Sequence, residues 1–233
     1  MPSVTTDTVL LRAGGIAALL GALLAIGANV LHPAGLGTVG PGQSARLIAD
    51  HAPWVGSSVG ALVAVLLLTG ALVALTRSLE GRAGAPWARL GQAAALIGAA
   101  VFCVLAGSNG LAMKLAAQDA VHGGTDPAWA VFRTLDAVNF SLLSVAILVY
   151  FGVGFGLVGV AVARDTVYPR WLGWVAIVGA LICFVAGVES LYRGPNWVLM
   201  GLVFPIGSGL LMLWMLAIGL AMLQLARLPG RAI

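Results

Sequence analysis

Six long apolar blocks, separated by short polar stretches, make up most of this chain. Crossing about 30 Å of hydrocarbon takes about 20 helical residues, and each block is long enough. The pattern predicts helices at roughly residues 10–31, 54–76, 87–113, 129–163, 171–192 and 197–226. The blocks are apolar on all sides rather than along one stripe, as lipid-embedded helices are. Strands are not expected, because an open sheet edge cannot be satisfied in lipid. The predicted fold class is all-α: one domain, a polytopic bundle of six transmembrane helices.

Proline and tryptophan mark the starts of five of these helices, at Pro53-Trp54, Pro86-Trp87, Pro127/Trp129, Pro169/Trp171 and Pro195/Trp197. Proline fits the first helical turn, where its missing N–H has no partner to lose. Tryptophan favours the membrane–water interface. The fourth helix is expected to be the longest, since Trp129 to Ala163 would extend about 52 Å at helical rise, with Asp126 as its N-cap. Residues 32–53 form the first outer loop, in which Gln43 to His51 reads as a short amphipathic helix with Leu47 and Ile48 on its apolar side.

Composition agrees with the pattern. The chain is 61% hydrophobic and 9% charged, against about 45–50% and about 25% in soluble domains. The net charge of +4 is spread over loop ends without a basic stripe, so no nucleic-acid partner is implied. It sets topology instead. With the N-terminus in the cytoplasm, Arg12, Arg77, Arg82, Arg89, Arg164, Arg170, Arg227 and Arg231 lie inside, while Arg46, Lys114, Arg133 and Arg193 lie outside. The positive-inside rule selects this arrangement. The expected location is the cell membrane, multi-pass, with both termini cytoplasmic and the first helix retained.

A repeat of 80 residues relates Gly27, Gly107 and Gly187, each followed by a polar residue two positions on, at Asn29, Asn109 and Glu189. Three tandem helix hairpins would follow from it. The stretch Tyr168-Pro-Arg-Trp-Leu-Gly-Trp174, opening the fifth helix, resembles a motif of small bacterial six-helix integral membrane proteins of unknown function. That resemblance extends over the fourth to sixth helices. It implies fold and location, and carries over no catalytic residue.

Chemistry-bearing residues are sparse. Gly154-Phe-Gly-Leu-Val-Gly159 matches G-x-G-x-x-G, but it lies inside a membrane helix rather than at a strand-to-helix turn, so it is no nucleotide site. Gly152 with Gly156, and Gly56 with Gly60, have the spacing of small-residue helix contacts. Pro205 inside the sixth helix predicts a kink and is a candidate hinge. Cys103 and Cys183 sit mid-block and read as packing residues. The three histidines, His32, His51 and His122, fall on the outer side and are candidate metal ligands. The main candidate site is an outer polar cluster of Asn29, Asn109, Lys114, Arg133, Asp136, Asn139, Glu189 and Arg193, centred on Glu189 at the lipid edge.

No catalytic residue stands out, and the cofactor is unknown. The reading favoured by these features is a non-enzymatic accessory, scaffold or small-ligand- or lipid-binding bundle, with the lipid bilayer and a second membrane protein or second copy as partners. A small transporter or channel is the alternative, weakened by helix middles without charge. An intramembrane enzyme or a metal- or haem-binding protein using the outer His and Asp residues is a third.

Overall fold

The computed structural model describes residues 4–33, 36, 39–194 and 198–227. Its helices are α1 (Val4–Val30), α2 (Pro41–Asp50), α3 (Trp54–Ser78), α4 (Ala85–Gly123), α5 (Asp126–Arg164), α6 (Arg170–Arg193) and α7 (Phe204–Leu225), the last preceded by π-helical Val198–Val203. Among the described residues there is no strand. Six helices are long and apolar enough to cross a membrane. Successive spans are antiparallel neighbours, and α1 closes the ring against α7. The first and last described residues, Val4 and Arg227, therefore lie at one end of the bundle, the terminal end. The short helix α2 caps the other, the α2 end.

Two features of the helices differ from the sequence expectation. The third predicted span does not stop at Met113: α4 runs ten residues further, to Gly123, through the wide turns Ser108–Ala112 and Asp119–Gly123. It counts 39 residues like α5, but a kink at Gly110 divides it, so α5 is the longer uninterrupted helix. At helical rise α5 extends about 58 Å, nearly twice the hydrocarbon thickness. The apolar count ended the helix where polar residues begin, yet those residues are helical too. The N-cap of α5 is Thr125, not Asp126: its hydroxyl accepts from the Ala128 amide at 3.4 Å. Four of the proline starts fall within one residue of a helix start. Pro195 and Trp197 lie outside the described residues.

Close backbone approach holds the spans together. In lipid, helices gain nothing by hiding apolar surface from the tails, so they associate through tight packing at small residues. A Cβ on Gly152 would stand 3.0 Å from the backbone of Phe184, and one on Gly156 would stand 3.4 Å from the Ala180 methyl. Both glycines thus face α6. Gly98 lets α4 lie against Tyr150 of α5, where a Cβ would come within 2.7 Å of backbone. Gly15 and Gly219 do the same for α1 and α7. Gly60 makes only an ordinary 3.8 Å contact with Ala28, and Gly56 has open space around it, so the Gly56/Gly60 spacing does not mark a tight seam. Nor do the repeat glycines share an environment: Gly187 packs on Leu148, whereas Gly27 and Gly107 face open space.

Aromatic side chains pack the centre of the bundle. The wide turn Ile147–Gly154 carries Tyr150, which is fully buried. Its hydroxyl reaches α3, donating to the Val65 carbonyl at 3.1 Å and lying 3.0 Å from the Thr69 hydroxyl. Phe102, Phe151 and Phe155 pack edge-on around it, and Trp214 of α7 packs on Phe155.

Leucine at Gly98 or Gly152 must push two backbones apart. Each is expected to destabilise the bundle by about 1–3 kcal/mol and lower its melting temperature in detergent. Leucine at Gly56, which has room, is expected to leave the melting temperature unchanged.

Candidate functional site

At the α2 end, α4 and α5 continue past the neighbouring helices and form a small head with α2. Its core comprises Ala45, Ile48, Ala49, Trp54, Met113, Ala117, Ala120 and Phe132, separate from the main core along the spans. Pro41 opens α2, where the missing N–H costs nothing. Ile48 is buried and Leu47 half-buried beneath the helix, while Arg46 and Asp50 face out.

Three polar contacts seat this head. A helix leaves its last carbonyls without partners, and a cation there is favourable. The Lys114 ammonium donates to the carbonyls of Ile48 at 3.1 Å and His51 at 2.7 Å. The His51 ring nitrogen Nε2 lies 2.7 Å from the Leu31 carbonyl and donates to it, joining α2 to the end of α1. In α4, Gly110 leaves helical geometry (φ −72°, ψ −107°). The indole N–H of Trp54 donates to the carbonyls of Asn109 at 2.7 Å and Gly110 at 3.2 Å on this kink. Trp54 is therefore buried in the head rather than placed at a lipid interface. His32 packs on its ring at 4.9 Å between centroids. Burial, and secondarily the nearby His51, lower the proton affinity of His32 below the ordinary imidazole range, against a raising hydrogen bond with the Ala28 backbone.

The eight residues proposed from sequence do not meet in one cluster. Lys114 and the Asn109 carbonyl belong to the head joint. Asn139 is buried and links α5 to α4 by accepting from the Ser108 hydroxyl at 2.5 Å. Its amide nitrogen has no partner among the described residues. Asn29 bonds back to Ala25, and Arg133 to Trp129, each within its own helix. Asp136 is exposed. Glu189 pairs with Arg193 at 2.8 Å on the partly open face of α6, and such pairs contribute about 0–1 kcal/mol. Helix length explains the separation. Leu148 lies against Gly187, so Glu189 is level with about residue 146, and Asp136 stands about 15 Å further out along α5.

The three histidines do not form a three-ligand group. Among the described residues no group of three His, Cys, Asp or Glu could share an ion. His51 is engaged by the Leu31 carbonyl, His32 stacks on Trp54, and His122 is exposed. Cys183 is buried and Cys103 exposed, and both are free. Pro205 lies inside the span Gly201–Leu225, where the wide turn of Val198–Val203 gives way to regular α-helix, so the proline sits at an irregularity of a continuous helix.

A second joint, at the terminal end, has no counterpart in the sequence reading. Asp165 is buried; its Oδ1 accepts from the amides of Thr166 at 2.7 Å and Val167 at 2.9 Å, with the Arg82 guanidinium 4.0 Å away. The Tyr168 hydroxyl meets that of Ser78 at 2.9 Å, and burial pushes its pKa up to about 12. The Arg164 guanidinium lies over the Trp87 ring, 5.0 Å from its centroid. These contacts tie the α5–α6 turn to the α3–α4 turn. A polar residue inside a tight turn, as in Asp165 to Tyr168, was the available signal.

Six apolar spans, an aromatic-packed centre and a head capped by an amphipathic helix define an integral membrane protein of the multi-pass, all-α class. The chain belongs to the family described as Domain of unknown function (DUF4386), whose model matches residues 10–219. No curated protein and no solved structure matches it.

Lys114→Met is expected to release α2. Hydrogen bonds from a charged donor contribute about 1.5–3 kcal/mol, so amide-exchange protection across Pro41–Asp50 should fall by tenfold or more, with α3 and α6 unaffected. The pH dependence follows from His32. Its docked form binds protons less readily than its released form, so docking is fully present above about pH 6.5 and weakens below it. Proteolysis within residues 39–53 should accelerate on acidification, and His32→Gln should remove that acceleration.

Proposed function

We propose that the protein is a cell-membrane bundle with both termini in the cytoplasm, acting as a non-enzymatic accessory or scaffold. Its outward-facing head would dock a small polar or amphiphilic ligand or a partner membrane protein. The observation that carries this reading is the aromatic packing of the interior. At mid-depth Tyr150, Thr69 and their aromatic neighbours occupy the space a transport path would need. A path usually marks the midplane with ionisable groups or broken helices lining a cavity. The long helices α4 and α5 instead raise a folded head above the bilayer, with Arg133 and Asp136 exposed on α5. The orientation rests on the arginine distribution, which favours the terminal end as the cytoplasmic side.

Reconstitution and labelling test the two parts separately. Proteoliposomes are expected to show no saturable uptake of ions, sugars or amino acids above empty vesicles; uptake abolished by Tyr150→Trp would overturn the scaffold reading. In whole cells, a cysteine at His122 should react with an impermeant maleimide, and one at Gly81 only after permeabilisation. The reverse pattern would invert the topology.

A further inference from the structure

We propose that the seam between α1 and α7 at the terminal end is a binding site for an anionic phospholipid. A half-open groove of about 260 Å³ lies there, lined by Arg12, Ile16, Leu223 and Arg227. The sequence makes it in a simple way. Arg12 and Ile16 are four apart on α1 and share a helix face, while Leu223 is in the last turn of α7 and Arg227 just past its end. The two helices are antiparallel. Arg12 is placed beside the end of α7 by its 3.5 Å hydrogen bond to the Ala226 carbonyl. Both arginines therefore belong to the outer end of the groove, and Ile16 and Leu223 lie one turn deeper. Close approach at Gly15 and Gly219 seals the floor: a Cβ on either would come within 2.9 Å of the other's carbonyl oxygen.

That order of groups, paired cations above an apolar slot at the end of a membrane span, is complementary to a phosphate headgroup above an acyl chain. The groove is smaller than the roughly 300–1,000 Å³ of pockets that enclose a whole drug-sized ligand, so it suits a molecule whose remainder lies in the bilayer. The lining has no acid, and among the described residues neither arginine is in an ion pair. Ile16 is half exposed, which leaves the slot open to an acyl chain from the side. The site is independent of the head and of the proposed orientation.

Native mass spectrometry of the full chain, released from mixed phosphatidylglycerol and phosphatidylcholine micelles, tests this. Two guanidinium charges near a membrane surface favour an anionic headgroup by roughly thirtyfold, so phosphatidylglycerol adducts should survive activation while phosphatidylcholine adducts are lost. Arg12→Ala/Arg227→Ala should abolish the preference, and Arg89→Ala/Arg170→Ala, which removes the same charge at the same end, should keep it. Ile16→Trp, which fills the slot without changing charge, should also weaken retention. Equal retention of the two lipids by the native chain would overturn the proposal, as would loss of preference in the Arg89/Arg170 variant. If the Arg12/Arg227 variant does not fold, Ile16→Trp decides: unchanged phosphatidylglycerol retention then overturns the site.

Discussion

Every other feature of this bundle depends on backbones coming within contact distance of one another. A soluble fold is pressed together by water, but lipid tails accept a leucine as readily as another helix does. What remains is dispersion, which falls off steeply with any gap. The α5–α6 seam shows the requirement most plainly. Gly187 sits on Leu148, Gly152 on Phe184, Gly156 on Ala180, Gly159 on Ala176 and Gly173 on Ala163. A Cβ at Gly173 would collide with the Ala163 amide. Small residues stand on one helix or the other along the whole seam, so no single glycine carries it, yet each sets a local distance.

With the spans fixed at that spacing, a polar side chain inside them or in the turns between them can reach a partner across a short gap. Tyr150 crosses from α5 to α3, and Tyr168 reaches Ser78. In both cases a tyrosine hydroxyl meets a Ser or Thr hydroxyl that is already bonded to its own helix, at Val65 and Leu75. The hydroxyl pair is satisfied on both sides without a formal charge, which suits an environment where unpaired ions are costly. Most charged residues sit instead at the helix ends, while the buried Asp165 carboxylate is met by the Thr166 and Val167 amides.

Much of this was legible before any coordinates. The six spans, their apolar faces and the proline-marked starts followed from hydropathy and from the conformational limits of proline. The α2 helix followed from the alternation of Leu47 and Ile48 with charged neighbours. The extension of α4 beyond Met113 did not, because hydropathy registers lipid and not helix, and a helix leaving the bilayer turns polar without ending. The role of Lys114 was hidden for a related reason. Its partners are main-chain carbonyls of Ile48 and His51, which carry no residue-specific signature. The supposed cluster around Glu189 failed on geometry alone: residues alike in hydropathic position stand at different heights when one helix outruns its neighbour.

The wide turn at Ser108–Ala112 sets the phase of everything beyond it. At Gly110 the backbone leaves helical angles, so this segment is a kink joining two helical stretches. Removing a residue there would shift every later position by one, a change of about 100° about the axis of the outer stretch. Lys114 would then point away from the end of α2, and the Asn109 and Gly110 carbonyls would no longer meet the Trp54 indole. The registration of the head against the bilayer is thus written in the number of residues in α4 rather than in their kind, so a change of length at this point would undo it more completely than most changes of side chain.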